Sequence, residues 1–119
     1  MSYQVRHPPI DDWTSMMVYF LIERHRRAFH LLSSGEFQAA GSNLVKIENK
    51  QFFAGNMWWA TATYLGQLPP LDWAEWKYAG ETWLLDSSTS NYLAKVYEFH
   101  FSGTDHYKKR YLRSSYATG

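Results

Sequence analysis

Apolar residues recur every three or four positions through the first third of the chain, which is the spacing of one face of an α-helix. The pattern predicts an amphipathic helix over residues 12–33, with Asp11 or Asp12 as the cap at its start. Gly35 is expected to follow its end. The preceding Pro8–Pro9 pair predicts a loop, because proline lacks the backbone N–H that helices and strands use. The apolar positions of this face are Trp13, Met16, Met17, Phe20, Leu21, Ala28, Leu31 and Leu32.

The rest of the chain predicts short elements of both kinds. Extended segments are expected at residues 37–40 and 51–54, and a half-buried strand over 94–101, where aromatic residues occupy every second position. Helices interleaved with such strands predict an α/β fold, and strands so few and short are expected to belong to a larger sheet. Three further helices are expected. The first is short and begins at Thr61 or Thr63, the second spans residues 73–85, and the third runs from Thr104 or Asp105 to about Arg113.

Composition narrows the classes of protein that this chain can represent. Its 119 residues predict a single domain over residues 1–119, and 45% apolar with 18% aromatic residues exclude a disordered chain. The absence of cysteine excludes disulfides, thiolate zinc sites and a thiol nucleophile. The net charge of +1 gives no overall attraction to nucleic acid. Apolar runs far below the ~20 residues of a membrane span, and no signal peptide, lead us to expect a cytoplasmic protein.

The densest candidate segment for ligand binding is Phe52–Ala60, which reads FFAGNMWWA. Gly55 and Asn56 can adopt positive φ and turn the chain sharply. The adjacent rings of Trp58 and Trp59 cannot both point inward from a strand, so one is expected to line a cleft or an interface. Indole faces stack on the apolar faces of sugars, and an amide side chain both donates to and accepts from hydroxyl groups. The alternative is one core ring and one surface ring on an ordinary turn.

Two carboxylates are candidates for acid–base chemistry. Glu81 lies among apolar residues, and a carboxyl group withdrawn from water is suited to proton transfer. The alternative is an ordinary helix carboxylate paired with Lys77, one helical turn earlier. Asp86, just after the predicted helix, is the second candidate.

A further segment carries histidine and basic residues. The segment is His100–Gly103 with Asp105 and His106, and His100 stands at the end of a predicted strand before the Ser102–Gly103 turn. An imidazole at this position can face a metal ion or a phosphate, or make a purely structural hydrogen bond. Lys108 opens a basic run over residues 108–113 that is either a solvated helix face or a phosphate contact. The sequence contains no Asp-x-Asp pair, no Gly-rich phosphate loop and no zinc-ligand spacing.

Several segments occur in an order that points to a known family. They are Trp13–Arg24 (WTSMMVYFLIER), Gly41–Asn43, Gly55–Ala60 with Tyr64–Leu65 and Leu68–Pro69, Glu81–Leu84, and His100–Gly103 with His106–Tyr107. Together they resemble a glycosyltransferase-like family of the nucleotide-diphospho-sugar transferase (GT-A-like) type. The resemblance covers about residues 7–116, and the Gly-Asn-x-Trp-Trp block at 55–59 is its specific part.

The resemblance implies the C-terminal, acceptor-side half of a GT-A-like fold, with a long N-terminal helix, short mixed strands and further helices. Such an enzyme transfers a glycosyl group from a nucleoside-diphosphate sugar to a hydroxyl group, so the expected ligand is a saccharide or a nucleotide sugar. The nucleotide-binding half and its acidic metal motif are not visible in this sequence. The expected protein partner is therefore a missing N-terminal half or a second copy of the chain.

The resemblance also implies roles for single residues. Glu81 would be the base or a ligand of the acceptor hydroxyl group, with Asp86 as second choice, and Lys108 would approach the diphosphate. His100 would complete the ligand shell of a divalent metal ion, Mn²⁺ or Mg²⁺. The implied substrate-binding residues are Gly55, Asn56, Trp58 and Trp59.

Two other functions compete with glycosyl transfer. The first is a non-catalytic carbohydrate-binding or protein-interaction module that keeps the fold and an aromatic cleft but binds no donor. The second is nucleic-acid binding through residues 108–113 and exposed aromatic rings. The net charge of +1 makes this second alternative the weakest of the three.

Overall fold

Helices and strands both contribute to the structure, a computed structural model that describes residues 7–47, 50–69, 79–85 and 95–117. The prediction of a mixed α/β fold is confirmed at this level. Within these ranges, no helix combines the length and the apolar character that a membrane span requires.

The N-terminal helical region begins earlier than predicted. Helix α1 spans Pro8–Val18 and takes its two prolines into its first turn. The first helical positions need no intrahelical N–H, and the fixed φ of proline suits them. The prediction of a loop at Pro8–Pro9 is therefore wrong. The predicted caps are also wrong, because His7 occupies the cap position and no side chain caps the helix.

The region is not one continuous α-helix. A π-helical segment, Tyr19–Glu23, follows α1, and Arg24 has the non-helical angles φ −106° and ψ 35°. The Arg24 N–H donates to the carbonyl oxygen of Tyr19 at 3.0 Å, five residues back. Helix α2 then spans His25–Ser33, and Gly35 follows with φ +82°, as predicted for the residue that ends it.

Two small sheets follow the helical region. In the three-stranded sheet, β1 (Ala39–Gly41) lies between β4 (Trp58–Ala60), which is antiparallel to it, and β5 (Val96–Glu98), which is parallel to it. The second sheet pairs β2 (Leu44–Ile47) with β3 (Lys50–Phe53) in antiparallel register. Extended chain near 37–40 and 51–54 is confirmed within a residue or two, whereas β2 was not predicted.

The remaining elements are short. Helix α3 spans Ala62–Gly66, and the Thr61 hydroxyl caps it by accepting from Tyr64 N–H at 3.2 Å, as predicted. Of the helix predicted over 73–85, residues 73–78 lie outside the described residues. The described part comprises α4 (Ala79–Thr82) and a 3₁₀ turn over Trp83–Leu85.

The helix predicted from Thr104 or Asp105 to about Arg113 is wrong. Residues 105–109 form a single turn, in which Lys109 N–H donates to the Asp105 carbonyl at 2.9 Å. The turn does not propagate, because Tyr111 N–H donates instead to the Asp12 carboxylate of α1 at 2.9 Å. A 3₁₀ turn over Arg113–Ser115 then leads to Tyr116, which is buried.

Two apolar clusters hold these elements together. One joins α1 and the π-helical segment to Tyr116, and the other lies between the sheets, α3 and the Trp83–Leu85 turn. Gly41 permits the close packing of the second cluster, since a Cβ at this position would lie 2.7 Å from the ring of Phe53. The buried members are Trp13, Met16, Met17, Tyr19, Phe20, Leu21 and Tyr116 in the first cluster, and Ala39, Phe53, Tyr64, Leu84 and Leu85 in the second.

Candidate functional site

An open cleft of about 400 Å³ lies where α1, the turn between β1 and β2, and the segment after β5 come together. We call it the Trp13 cleft. It combines aromatic rings with several polar side chains, which is the usual composition of a small-ligand site. Its lining residues are Trp13, Asn43, Val45, Ala54, Phe101, Ser102, Gly103, Thr104, Asp105, His106 and Tyr107.

Asn43 connects the two chain segments that form the polar wall of this cleft. It is buried and holds a left-handed conformation with φ +52°, which asparagine tolerates better than most residues. Its Oδ1 accepts from Ser102 N–H at 2.8 Å, and its Nδ2 lies 3.3 Å from His106 Nε2. Its backbone N–H donates to the His100 carbonyl at 2.8 Å. The Asn43 side chain and backbone thereby fix the positions of residues 100–106.

Ser102 and His106 form a hydrogen-bonded pair within this wall, with 2.6 Å between Oγ and Nε2. Because Asn43 Oδ1 accepts from Ser102 N–H, its Nδ2 faces the imidazole as a donor, and His106 Nε2 is the acceptor. Because Nε2 is the acceptor in this network, the proton of the neutral His106 ring is assigned to Nδ1. Burial lowers the pKa of His106, with Asp105 and Asp12 opposing that effect, so the imidazole is neutral at pH 7.

The His106 ring stacks on Trp13, with ring centroids 5.2 Å apart and planes 8° from parallel. The edge of Tyr111 meets the same ring at 5.4 Å. Two buried ring nitrogens here, His106 Nδ1 and Trp13 Nε1, have no hydrogen-bond acceptor among the described residues. The back of the cleft is therefore a rigid aromatic stack with unsatisfied donors behind its polar wall.

The rim of the cleft is aromatic and exposed. Phe101 is 65% exposed and Tyr107 is 64% exposed, far above the values of the core rings. Asp105 lies between them in the chain, and its Oδ1 accepts from Tyr107 N–H at 3.0 Å. The cleft can therefore offer apolar ring faces beside hydroxyl and carboxylate acceptors, an arrangement suited to a neutral polyhydroxylated ligand.

His100 lies in a different, smaller cleft. Its ring stacks on Phe20 with centroids 5.3 Å apart, and its Nε2 shares a 2.6 Å hydrogen bond with the Tyr111 hydroxyl. Burial lowers the pKa of His100, opposed by Glu98. Among the described residues, no group of three or more His, Asp or Glu side chains is placed to hold a metal ion. The metal-ligand role that the resemblance implies for His100 stays a prediction.

None of the predicted substrate-binding residues lines the Trp13 cleft. Gly55 has φ +89°, and a Cβ there would lie 3.1 Å from Trp13 and 2.5 Å from the Met17 sulfur, so the turn packs against α1. Asn56 Oδ1 accepts from Trp58 Nε1–H at 3.0 Å. Trp59 is 40% exposed, and its Nε1–H donates to the Leu21 carbonyl at 2.7 Å. Trp58 packs against the second cluster, so one ring faces the core and the other is partly open to solvent.

The remaining predicted residues are dispersed. Glu81 is partly buried on α4, an element that packs against β3, and it does not line the Trp13 cleft. Asp86 lies outside the described residues. Lys108 is exposed in the turn after the cleft, where its backbone N–H donates to the Asp105 carbonyl at 3.1 Å.

The sequence singled out one part of this lining, the segment from Phe101 to Gly103 with Asp105 and His106, but did not join it to Trp13 and Asn43. A signal for them was present, since Gly41–Asn43 and His100–Gly103 with His106–Tyr107 both carry the family resemblance. Nothing in the local pattern indicates that Asn43 and Ser102, 59 residues apart, share a hydrogen bond.

Comparison with family models, with curated proteins and with solved structures gives no match for this chain.

Proposed function

We propose that this chain is the acceptor-side half of a GT-A-like glycosyltransferase fold and that it binds the acceptor saccharide in the Trp13 cleft. The observation that carries the proposal is the joint presence of exposed aromatic faces, Phe101 and Tyr107, and a preorganised polar wall in one open cleft. The order of the motifs along the chain supports the assignment to this class of transferase.

The chemistry of the cleft matches that of a neutral sugar. The C–H face of a pyranose is apolar and packs on an aromatic ring, while its hydroxyl groups both donate and accept. Ser102, Thr104 and Asp105 supply oxygen atoms for those hydroxyl groups along one stretch of chain. The neutral His106 behind them adds no positive charge that would select for an anion.

The metal-ligand role of His100 stays a prediction, and the proposal routes no step through a metal ion. The general base also stays a prediction. Glu81 keeps the role that the resemblance implies, although the described residues do not place it in the lining of the cleft. Asp105, which does line the cleft, has one carboxylate oxygen, Oδ2, without a partner among the described residues and is the alternative acceptor for a hydroxyl proton.

The proposal is tested by titrating the ¹⁵N-labelled chain with neutral mono- and disaccharides and following backbone amide shifts. We expect shifts at residues 101–107 and a loss of affinity of about tenfold in Phe101→Ala or Tyr107→Ala, since an aromatic contact contributes about 0.5–1.5 kcal/mol beyond its buried area. Phe29→Ala is the matched control, because Phe29 is 70% exposed on α2 and does not line the cleft. Equal losses in all three variants would contradict saccharide binding at this cleft.

A second titration separates the transferase from the non-catalytic carbohydrate-binding or protein-interaction module. UDP-sugars and GDP-sugars, with and without Mn²⁺, are added to the same chain in a calorimeter. Heat with a nucleotide sugar, beyond that with the free sugar, supports the transferase. Saccharide binding without any response to the nucleotide favours the carbohydrate-binding module instead.

A further inference from the structure

A second cleft, of about 170 Å³, lies beside the π-helical segment, where two arginines meet a wall of aromatic rings. We call it the arginine cleft. We propose that Arg24 and Arg27 bind a phosphoryl group in this cleft. The site is separate from the Trp13 cleft, and none of the predicted substrate-binding residues lines it.

The two guanidinium groups are available for an anion. The described residues contain two arginine–carboxylate pairs, Arg110 with Asp12 and Arg113 with Glu23. Arg24 and Arg27 have no carboxylate within ion-pair distance there. Each instead donates to a tyrosine hydroxyl, Arg24 to Tyr19 at 2.7 Å and Arg27 to Tyr97 at 2.5 Å. A guanidinium group carries several further N–H donors that these single bonds leave unused.

Aromatic rings hold both guanidinium groups in place without neutralising them. Arg24 Cζ lies 5.6 Å from the centre of the Tyr19 ring, and Arg27 Cζ lies 5.4 Å from that of Tyr97. Arg27 also lies 5.9 Å from the ring centre of Phe99. Because these contacts restrict the side chains in the free protein, an incoming anion pays less of the entropy of ordering them.

The backbone explains why both arginines reach the same cleft. Arg24 immediately precedes α2, and Arg27 lies in the first turn of that helix. The Arg27 N–H donates to the Arg24 carbonyl at 3.1 Å, so a single turn of chain brings the two residues together. Arg24 marks the end of the π-helical segment, where the chain leaves helical geometry before α2 begins. Single π-helical turns within α-helices occur frequently at functional sites. Here the turn sets the direction of the arginine-bearing face relative to the buried rings of Tyr19 and Phe20.

Charge and size select the ligand. Two guanidinium groups match the charge of a phosphate monoester, about −1.5 to −2 at pH 7, better than that of a carboxylate. The volume is below the roughly 300–1,000 Å³ of sites that enclose a whole small molecule, so the cleft accommodates the phosphoryl group and not a complete nucleotide. That this group is the diphosphate of a nucleotide sugar rests on the proposed function, whereas the binding of a phosphoryl anion does not.

Calorimetric titration of the full chain with inorganic phosphate and with diphosphate, at a matched ionic strength of about 0.15 M where the Debye length is about 8 Å, tests the site. Charge-assisted hydrogen bonds are worth about 1.5–3 kcal/mol, so Arg24→Gln and Arg27→Gln are each expected to weaken binding about tenfold or more. Arg26→Gln is the control, because Arg26 is exposed on the same helix, carries the same charge and does not line the cleft. It is expected to change affinity by less than about twofold, the effect of a screened surface charge.

Several results would overturn the proposal. These are no measurable binding of either anion, or losses in Arg26→Gln equal to those in the other two variants. If Arg24→Gln is poorly folded, the test rests on Arg27→Gln. Circular dichroism shows whether the Arg27→Gln variant retains its helices. Arg27→Lys gives a further check, because it keeps the charge but not the planar donor array and is expected to recover only part of the affinity.

The source of the phosphoryl group is identified by comparing UDP with diphosphate. UDP binding at least as tightly as diphosphate, and sensitive to Arg27→Gln, supports a nucleotide source. UDP binding more weakly than diphosphate contradicts that source and assigns the site to a free phosphoryl anion. If phosphate binds here and no saccharide binds at the Trp13 cleft, the proposed function fails while the anion site stands.

Discussion

Asp12 and Arg110, which are 98 residues apart, form a two-pronged ion pair that connects the first helix to the C-terminal segment. Arg110 Nε donates to Asp12 Oδ2 at 2.5 Å, and its NH2 group donates to Oδ1 at 3.1 Å. The same Oδ2 accepts from Tyr111 N–H at 2.9 Å. The hydrogen bond from Arg110, with that from Tyr111 N–H second, lowers the pKa of Asp12. One carboxylate thus places the segment that follows the Trp13 cleft.

Replacing Asp12 by Asn should lower the melting temperature. Asn keeps one oxygen acceptor but loses the negative charge and one of the two hydrogen bonds from Arg110. Asp11→Asn, one residue earlier on an exposed position, is the control and should leave the melting temperature nearly unchanged. Because the pKa of Asp12 is lowered on folding, its contribution is present above about pH 3.8 and disappears as the pH falls through the folded-state pKa. Thermal scans of both variants by circular dichroism at neutral pH provide the measurement. An equal decrease in the two variants would show that Asp12 has no special role.

Asn43 and Asn56 offer a matched pair of substitutions, because both have φ +52°. Asn43→Ala and Asn56→Ala therefore introduce a similar backbone strain. Only Asn43→Ala removes the buried acceptor of Ser102 N–H and the donor to His106. Since a buried polar group without its partner costs about 1–3 kcal/mol, the free energy of unfolding should be lower in Asn43→Ala by about that amount than in Asn56→Ala. Urea denaturation of both variants gives the difference, and a value near zero would contradict the role of Asn43.

His106 should make the protein less stable in mild acid. Burial lowers its pKa below the ordinary value of 6.5, so the unfolded chain takes up a proton at a higher pH than the folded chain. This group contributes no pH dependence where both forms are neutral, and the free energy of unfolding falls as the pH drops below about 6.5. His100 acts in the same direction, because burial lowers its pKa as well.

Urea denaturation between about pH 7.5 and pH 5 measures this effect. His106→Gln should reduce the slope of the free energy of unfolding against pH, with the remainder attributable in part to His100. His30→Gln, an exposed histidine on α2, should leave the slope contributed by His106 in place. If His106→Gln retains the full slope, the buried neutral imidazole is not its source.

The N-terminal helical region shows how far the sequence pattern reaches. Its apolar period predicted the buried positions Trp13, Met16 and Met17 correctly, because burial of one face is a local property of the sequence. The same period continued past Glu23 without a signal for the π-helical segment. On α2, the predicted position Ala28 is buried, whereas Leu31 and Leu32 are only partly buried. Phe29, which lies off the predicted face, is 70% exposed.

The helix predicted in the C-terminal segment was wrong for a different reason. Residues 104–113 have a reasonable helical composition, and nothing nearby in the sequence opposes a helix. The competing partner is Asp12, which takes the Tyr111 N–H that a continuing helix would have used. Contacts between residues so distant in the chain cannot be read from a local pattern, and tertiary interactions routinely override propensity.

The candidate site was predicted in part. The segment His100–Gly103 with Asp105 and His106 was predicted as a candidate site, and all of these residues except His100 line the Trp13 cleft. His100 lines the arginine cleft instead. Its partner Asn43 was named only within the Gly41–Asn43 segment of the family resemblance. The rings expected to face a ligand, Trp58 and Trp59, use their indole N–H groups on Asn56 and on the Leu21 carbonyl. The exposed rings at the cleft are instead Phe101 and Tyr107. Both lie after β5, where packing within the strand no longer constrains the side chains.

The π-helical segment Tyr19–Glu23 also ties the proposed phosphoryl site to the length of the helical region. Each residue turns an α-helix by about 100°, so one residue more or fewer between Phe20 and Arg24 would rotate every later side chain by that angle. The rings of Tyr19 and Phe20, which precede such a change, would stay buried, while Arg24 and Arg27 would leave the cleft together. Substitutions within the segment preserve that phase, but insertions and deletions do not. The number of residues in this segment thus sets the position of the proposed anion site relative to the core. Substitutions that keep that number leave the position unchanged.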